Sequence, residues 1–377
     1  MRRDKVIKMK ENENALKHLF GPELLKRISH SLSEIYPAFN QKHFLGLMPI
    51  LKPLEMKPRV RLLRDELKKL LPPDYPKALG ILVKSAQSKK LEGFDLWPYT
   101  EFVQTYGLEH PDLSLGALKE FTQVFTSEWA VRPFIKNHPH KTMKYLLKCA
   151  EEKSEHTRRW ASEGSRPRLP WGERLQEFVR DPKPTLPILE KLKFDSELYV
   201  RKSVANHLND IAKDHPDFVV KILSKWKKEA GSGDAAKVDW TIRRALRTLI
   251  KDGHAGALEL IGVSKKTELK FLEFKIKQKK IKLGDRIDFE FEIHSLSKKS
   301  QKLVVDYIVH FVRANKTTTP KVFKLKALEL PANGKIGISK SHHFKKVTTR
   351  EYYPGLHFLE IQINGVVAGK CEWKLEI

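Results

Sequence analysis

Cysteine is nearly absent: Cys149 and Cys371 are the only two in 377 residues. Two thiols so far apart offer no disulfide framework, and a reducing cytoplasm is the expected compartment. Long apolar runs are missing too. No stretch nears the roughly 20 apolar residues that a membrane-spanning helix needs. The opening MRRDKVIKMKENENALKHLF has charge rather than an apolar core behind its basic start, so it does not read as a signal peptide. No CxxC, HExxH or P-loop pattern occurs, so no metal and no nucleotide cofactor is expected. His138/His140 and His342-His343 are isolated pairs, read as surface histidines. The last shortage is of negative charge. Against 72 Lys and Arg stand 46 Asp and Glu, giving a net charge of +26 and a pI of about 9.8. Such a balance says nothing of fold but predicts attraction to a polyanion.

What is present divides in two. From about Asn12 to Ile261 apolar residues recur at helical spacing. Val60, Leu63, Leu67, Leu70 and Leu71 form one run, stopped by Pro72-Pro73. Leu79, Leu82, Val83 and Ala86 mark the next helix, and Phe121, Val124 and Phe125 open the apolar face of a later one. After Gly262 the period changes. FEFEIHSL (289–296), KLVVDYIVHFV (302–312), KVFKLKALEL (321–330), HFLEIQIN (357–364) and the closing GKCEWKLEI read as strands. Phe289, Phe291 and Ile293 alternate cleanly; Phe358, Ile361 and Ile363 alternate with one slip. Turns at Leu283-Gly284-Asp285, Ala332-Asn333-Gly334 and Asn364-Gly365 separate them. About seven short strands fit an immunoglobulin-like sandwich, and Tyr353-Pro-Gly-Leu-His357 resembles its tyrosine corner. The expected fold is therefore an all-α HEAT-like repeat solenoid, residues 1–264, followed by an all-β immunoglobulin-like sandwich, residues 265–377. The sandwich carries about 24 Lys and Arg against 12 Asp and Glu, so both parts are drawn to the same polyanion.

The repeat reading rests on three segments. HTRRWASEG (156–164), YVRKSVANHLNDIAKDHP (199–216) and WTIRRALRTLIKDG (240–253) place Arg158, Arg201 and Arg243 about 43 and 42 residues apart, within the HEAT-like range. Helix pairs at that period cannot bury their apolar faces alone and must stack. Arg158, Arg159, Arg166, Arg168, Arg201, Lys202, Arg243 and Arg244 then fall at helix starts or turns. Either they track a phosphate backbone or they form a solvated basic face with structural ion pairs.

Four other residues stand out. Glu128 in TSEWAVRPF continues the Phe121/Phe125 face; such a carboxylate is either paired with Arg132 one turn on or functional. Glu163 precedes Gly164, read as the left-handed glycine after a helix, where a carboxylate opposes the helix dipole. Flanking arginines compensate it, or it serves chemistry. Trp171, between Pro170 and Gly172, is either satellite core or an exposed face for a base or sugar. Asp210 lies on the polar stripe Ser203, Asn206, His207, beside the core stripe Val204, Leu208, Ile211. It is held by Asn206 and His207 for a purpose, or it belongs to a helix-end network with Lys213.

The strings WAVRPF, SEGSRPRLPW, YVRKSVANHLNDIAKDHPD and WTIRRALRTLIKDG, with LKHLFGPELLKRI near the start, resemble the AlkC-type DNA alkylation-repair glycosylases of the AlkC/AlkD HEAT-like superfamily. The likeness spans roughly residues 15–262, and the sandwich resembles the appendage of one subgroup. It implies a monofunctional DNA glycosylase acting on 3-methyladenine and 3-methylcytosine in double-stranded DNA. No cofactor, no lyase step and no protein partner are implied, and a monomer is expected. The family's acidic and aromatic site residues fall at Glu128, Glu163, Trp171 and Asp210. A non-catalytic DNA-binding scaffold and an RNA-binding solenoid are the competing readings.

Overall fold

Two short helical motifs show how the first part of the chain builds itself. In the helix Met56–Leu70, Val60, Leu63 and Leu67 recur at one face and are fully buried. The helix ends at Leu70, just before Pro72-Pro73. Asp74 then caps the helix Tyr75–Gln87, its side chain accepting from the Lys77 amide at 3.0 Å. Proline also opens the helices Pro22–Ile35, Trp97–Tyr106, Pro111–Phe121, Arg132–Asn137 and Pro139–Cys149, where its missing amide costs nothing. The helices pack as neighbours: Met56–Leu70 on Trp97–Tyr106, Tyr75–Gln87 on Pro111–Phe121, and Glu155–Gly164 on Pro139–Cys149. The computed structural model describes residues 16–347 and 350–377. The expected helical start at about Asn12 and most of the basic N-terminal segment lie outside the described residues.

The repeat has a physical basis in two of its three copies. Arg158 and Arg201 each stand fourth in their helices, Glu155–Gly164 and Leu198–Ala212. Arg243 instead sits in the last turn of the helix Ala235–Ala245, so the third copy is displaced.

The chain forms two compact units, Met1–Asp210 and Ile211–Ile377. The second joins the last helices to a sandwich with, among the described residues, eight strands: β1 (Leu269–Ile276), β2 (Lys280–Lys282), β3 (Arg286–Ser295), β4 (Gln301–Val312), β5 (Thr318–Leu330), β6 (Lys335–His343), β7 (Gly355–Ile363) and β8 (Val366–Glu376). One sheet runs β1-β3-β6, the other β2-β8-β7-β4-β5, with β2 parallel to β8 and every other pair antiparallel. Ile287, Phe289, Phe291 and Ile293 of β3 face Val305, Val309 and Phe311 of β4 and Leu359, Ile361 and Ile363 of β7 in one core. The inward set on β7 thus begins at His357, continues through Leu359, Ile361 and Ile363, and needs no slip. Phe358 points away and takes the Lys370 ammonium over its ring.

Three readings are corrected here. His342 is not a surface residue: it packs on Phe323 and Phe344 and meets the Tyr307 hydroxyl, and burial drives its imidazole down to about 4. His138 is half-buried and donates to the Leu108 carbonyl at 2.8 Å. The Tyr353 hydroxyl bonds the Glu351 carboxylate, not an upstream backbone group. The corner is tied instead by buried His357, whose Nε2 accepts from the Val312 amide.

Helices and sandwich of the second unit are joined by backbone contact. Asn364 and Gly365 both have positive φ, as a two-residue hairpin turn requires, and Gly365 lies against Gly253. A Cβ on Gly365 would come within 2.1 Å of the Gly253 Cα. Gln362 donates to the Lys251 carbonyl and Asn364 to the Ser264 carbonyl, each at 2.7 Å.

Candidate functional site

Glu128, Glu163 and Asp210 reach one place from three different elements. Helical periodicity put Glu128 on the Phe121/Phe125 face, but the helix Pro111–Phe121 stops at Phe121, and residues 122–131 are turns and irregular chain. The Ser127 hydroxyl bonds the Leu118 carbonyl of the ended helix at 2.8 Å, turning the chain back on it. Glu128 therefore enters the site from a turn. Its partner is Arg159, not Arg132: Arg159 Nη2 lies 2.7 Å from Oε2, which also accepts from the Thr126 hydroxyl at 2.6 Å. Arg132 is occupied elsewhere, donating to the carbonyls of Gly164, Arg166 and Glu173.

Glu163 stands in the last turn of Glu155–Gly164. Gly164 is not the left-handed residue after that helix; it is the last helical residue, and Ser165 is the cap. Packing explains the glycine, since a Cβ would fall 2.6 Å from Val131 Cγ1. Asp210, on Leu198–Ala212, accepts from Nε and Nη2 of Arg166, both at 2.8 Å. The polar stripe beside it seats its helix on the Glu163 helix. Ser203 donates to the Ser162 hydroxyl, and His207 Nδ1 to the Ser162 carbonyl, each at 3.0 Å.

The result is an alternating chain: Glu128, Arg159, Glu163, Arg166, Asp210. Glu163 Oε1 lies 3.8 Å from Arg159 Nη2 and 2.5 Å from Arg166 Nη1. Glu128, Glu163, Arg166 and Asp210 are all buried. Burial raises the Glu128 carboxyl above its ordinary value; Arg159 pulls it down, and the nearby Glu163 charge adds to the rise. Burial would lower Arg159 and Arg166, but the acids around them outweigh it, so both are held protonated more firmly than usual. His207, fully buried near Arg166, is driven down to about 3 and stays neutral. Three carboxylates and two guanidiniums thus alternate along one chain of ion pairs.

Trp171 settles on the exposed side of its two readings, with 56% of its surface open. It also holds φ at +62°, a conformation that costs a bulky residue about 1–2 kcal/mol. Three near-parallel indoles lead to it from the core. Trp97 and Trp129 lie 5.0 Å apart at 29°, and Trp129 and Trp171 6.3 Å apart at 25°. Trp129 Nε1 donates to the Pro170 carbonyl at 3.1 Å, and Lys57 Nζ to the Trp171 carbonyl at 2.9 Å. A cleft of about 380 Å³ lies beside them, lined among others by Lys57, Arg61, Glu101 and Gln104.

The arginine row does not face outward as a set. Arg158 grips both Asp195 oxygens, Arg159 and Arg166 hold the acids, and Arg201 Nη1 bonds two carbonyls. Lys202 and Arg243 are exposed; Arg168, Arg201 and Arg244 are partly so. Arg244 lies over the Trp240 ring. Sequence reasoning had singled out the acids and the arginines beside Glu163. It missed Thr126, Tyr199 over which Arg159 lies, Trp129 and Lys57. Thr126, two residues before Glu128, was the one with a local signal.

Known proteins resemble this chain over nearly its whole length. Residues 270–377 match the family described as "Uncharacterised protein YhaZ, C-terminal Ig-like domain". The uncharacterized protein YhaZ of Bacillus subtilis (strain 168) is 40% identical over 363 residues, which is 96% of this chain and 99% of that protein. The solved structure of Pseudomonas fluorescens alkylpurine DNA glycosylase AlkC, bound to DNA containing an abasic site analog, is 39% identical. It covers 96% of this chain and 100% of its own, with a TM-score of 0.90.

Proposed function

The chain belongs to the AlkC family, and from that premise we propose that it is a DNA glycosylase releasing cationic alkylated bases from duplex DNA. The bases we assign are 3-methyladenine and 3-methylcytosine. The observation that carries the reading is the chain of three carboxylates and two guanidiniums, four of the five buried. Burying four charges is a poor way to gain stability, because desolvation offsets most of the attraction. Preorganised carboxylates in a dry site are a good way to stabilise a cation that forms during a reaction.

The chemistry follows from the charge on the base. Alkylation at N3 makes the base cationic, so the C1′–N bond breaks with its electron pair neutralising the base, and no acid is needed. The sugar becomes oxocarbenium-like. Water adds to C1′, and one carboxylate takes its proton. Glu163 and Asp210 stabilise the cation and activate the water between them. Glu128 sets the charge of the same pocket, and Trp171 packs against the lesion or deoxyribose. We assign no lyase step.

Phosphate contacts fall to the solvent-facing cations, Lys202 and Arg243 first, with Arg168, Arg201 and Arg244. Arg158, Arg159 and Arg166 act through the acids they hold. We assign the glycosylase role to residues 1–264 and help in DNA engagement to residues 265–377, in a cytoplasmic, monomeric protein. The deciding experiment is base release from methylated DNA by the wild type, Glu163→Gln and Asp210→Asn. Release of neither base by the wild type defeats the proposal and leaves a DNA-binding scaffold. Full activity in both variants defeats the assignment of the acids alone.

A further inference from the structure

Lys57 is the second residue of the helix Met56–Leu70, where a cation opposes the helix dipole. Its ammonium is spent on a single carbonyl, that of Trp171, which is 114 positions away in sequence and is the residue with the strained φ. Trp129 bonds the preceding carbonyl, Pro170, while its ring lies nearly parallel to the Trp171 ring. Trp129 is itself backed by Trp97, which is 3% exposed. Two consecutive carbonyls and the indole face are thus fixed from outside the loop, and the fixing ends in the core.

Resting on the role given above to Trp171, we propose that Lys57 and Trp129 are positioning residues that clamp the Trp171 loop and hold its indole ready for the damaged nucleotide. Neither touches the reacting atoms. An exposed indole at positive φ would otherwise relax to another backbone conformation, and the face it presents would turn with it. Fixing the carbonyls before DNA arrives removes an ordering cost from binding.

The test uses the full chain and methylated duplex DNA. Lys57→Met removes the donor and keeps the stem; Lys57→Arg restores a cationic donor; Trp129→Phe removes Nε1–H. Lys57→Met should slow single-turnover base release about 10-fold, in line with the cost of misplaced substrate contacts, without lowering the melting temperature. Lys57→Arg should recover most of that loss. In a Trp171→Ala background Lys57→Met should cost nothing more. A full further loss there would mean that Lys57 acts by itself, as a phosphate contact, and would overturn the clamp. The second readout is free of activity: fluorine NMR of protein labelled with fluorotryptophan, the Trp171 signal being assigned with Trp171→Phe. Lys57→Met and Trp129→Phe should each shift or broaden it, and an unmoved signal sinks the proposal. A moved signal in a protein whose wild type releases no base supports the clamp and faults the glycosylase reading instead.

Discussion

Glu163 and Asp210 share the Arg166 guanidinium. Arg166 gives Nη1 to the first and Nε with Nη2 to the second, and all three residues are buried. Neither acid can move without disturbing the other. Arg166→Gln keeps much of the side chain's length but removes the guanidinium that the two carboxylates share. It should destabilise the protein by about 3–5 kcal/mol, as for a buried pair broken on one side. Thermal unfolding measures this, and base release should fall with it. A variant as stable as the wild type would mean that the two acids do not depend on Arg166.

Glu128 behaves differently, because burial holds its carboxyl above the ordinary value despite Arg159. A raised folded value means that the folded state binds the proton more tightly than the unfolded chain does. Its contribution is therefore most favourable at low pH and is lost as pH rises through the folded value. Glu128→Gln mimics the protonated form. It should leave the melting temperature unchanged or slightly raised at pH 8 and flatten the pH dependence of stability above pH 4. Base release should drop all the same if the charge serves chemistry. A clear fall in melting temperature at pH 8 would contradict this account.

The two acid sites also show what the sequence could and could not tell. Arg158 and Arg201 each send Nη1 to the carbonyls five and six residues before them, the kind of repeated local detail that a period of about 43 encodes. Helix extents and strand alternation on β3 were legible for the same reason: each is written within a few positions. The turn at residues 122–131 was not, because Phe121, Val124 and Phe125 keep helical spacing after the helix has ended. Strand β6 was missed because KIGISKSHH has little apolar alternation beyond Ile336 and Ile338. Long-range pairings such as Glu128 with Arg159 or Lys57 with Trp171 leave no local trace.

Gly253 and Gly365 meet backbone to backbone, each at positive φ. Gly365→Ala adds a methyl group within 2.1 Å of the Gly253 Cα, and no side chain stands there to give way. We expect a loss above about 2 kcal/mol in the second unit, more than the backbone strain alone would cause. Ala at Gly284, whose φ is also positive but where nothing lies within 4 Å, is the control and should cost about 1 kcal/mol. Equal losses at the two sites would show that the close approach is not maintained in solution.

Asp306 on β4 is buried, and burial pushes its carboxyl up to about 6, against the pull of Lys251 and Lys324. The sign is that of Glu128: its charge weakens the folded state increasingly between about pH 4 and 6, and fully above. Asp306→Asn should stabilise the second unit by about 1–2 kcal/mol at pH 8, after allowing for solvent screening, and by little at pH 4. Unfolding curves at the two pH values decide it. Equal effects at both would mean that the carboxylate is not strained by burial.

Lys202 and Arg243 present their charges to solvent, unlike the arginines committed to the acids. If they contact phosphates, each removes about one counterion-release event from binding. Lys202→Ala and Arg243→Ala should each reduce the slope of log affinity against log salt by about 0.9. The loss should be the same for damaged and undamaged duplex, and single-turnover base release at saturating protein should be little changed. Arg159→Ala offers the opposite signature: a near-normal salt slope with a collapse in base release, because its charge is spent on Glu128 and Glu163. Such point changes are also cleaner than cutting the chain at residue 265, which would strip the Lys251 and Ser264 carbonyls of Gln362 and Asn364. A salt slope altered more by Arg159→Ala than by Lys202→Ala would reverse the division of labour between the two sets of cations.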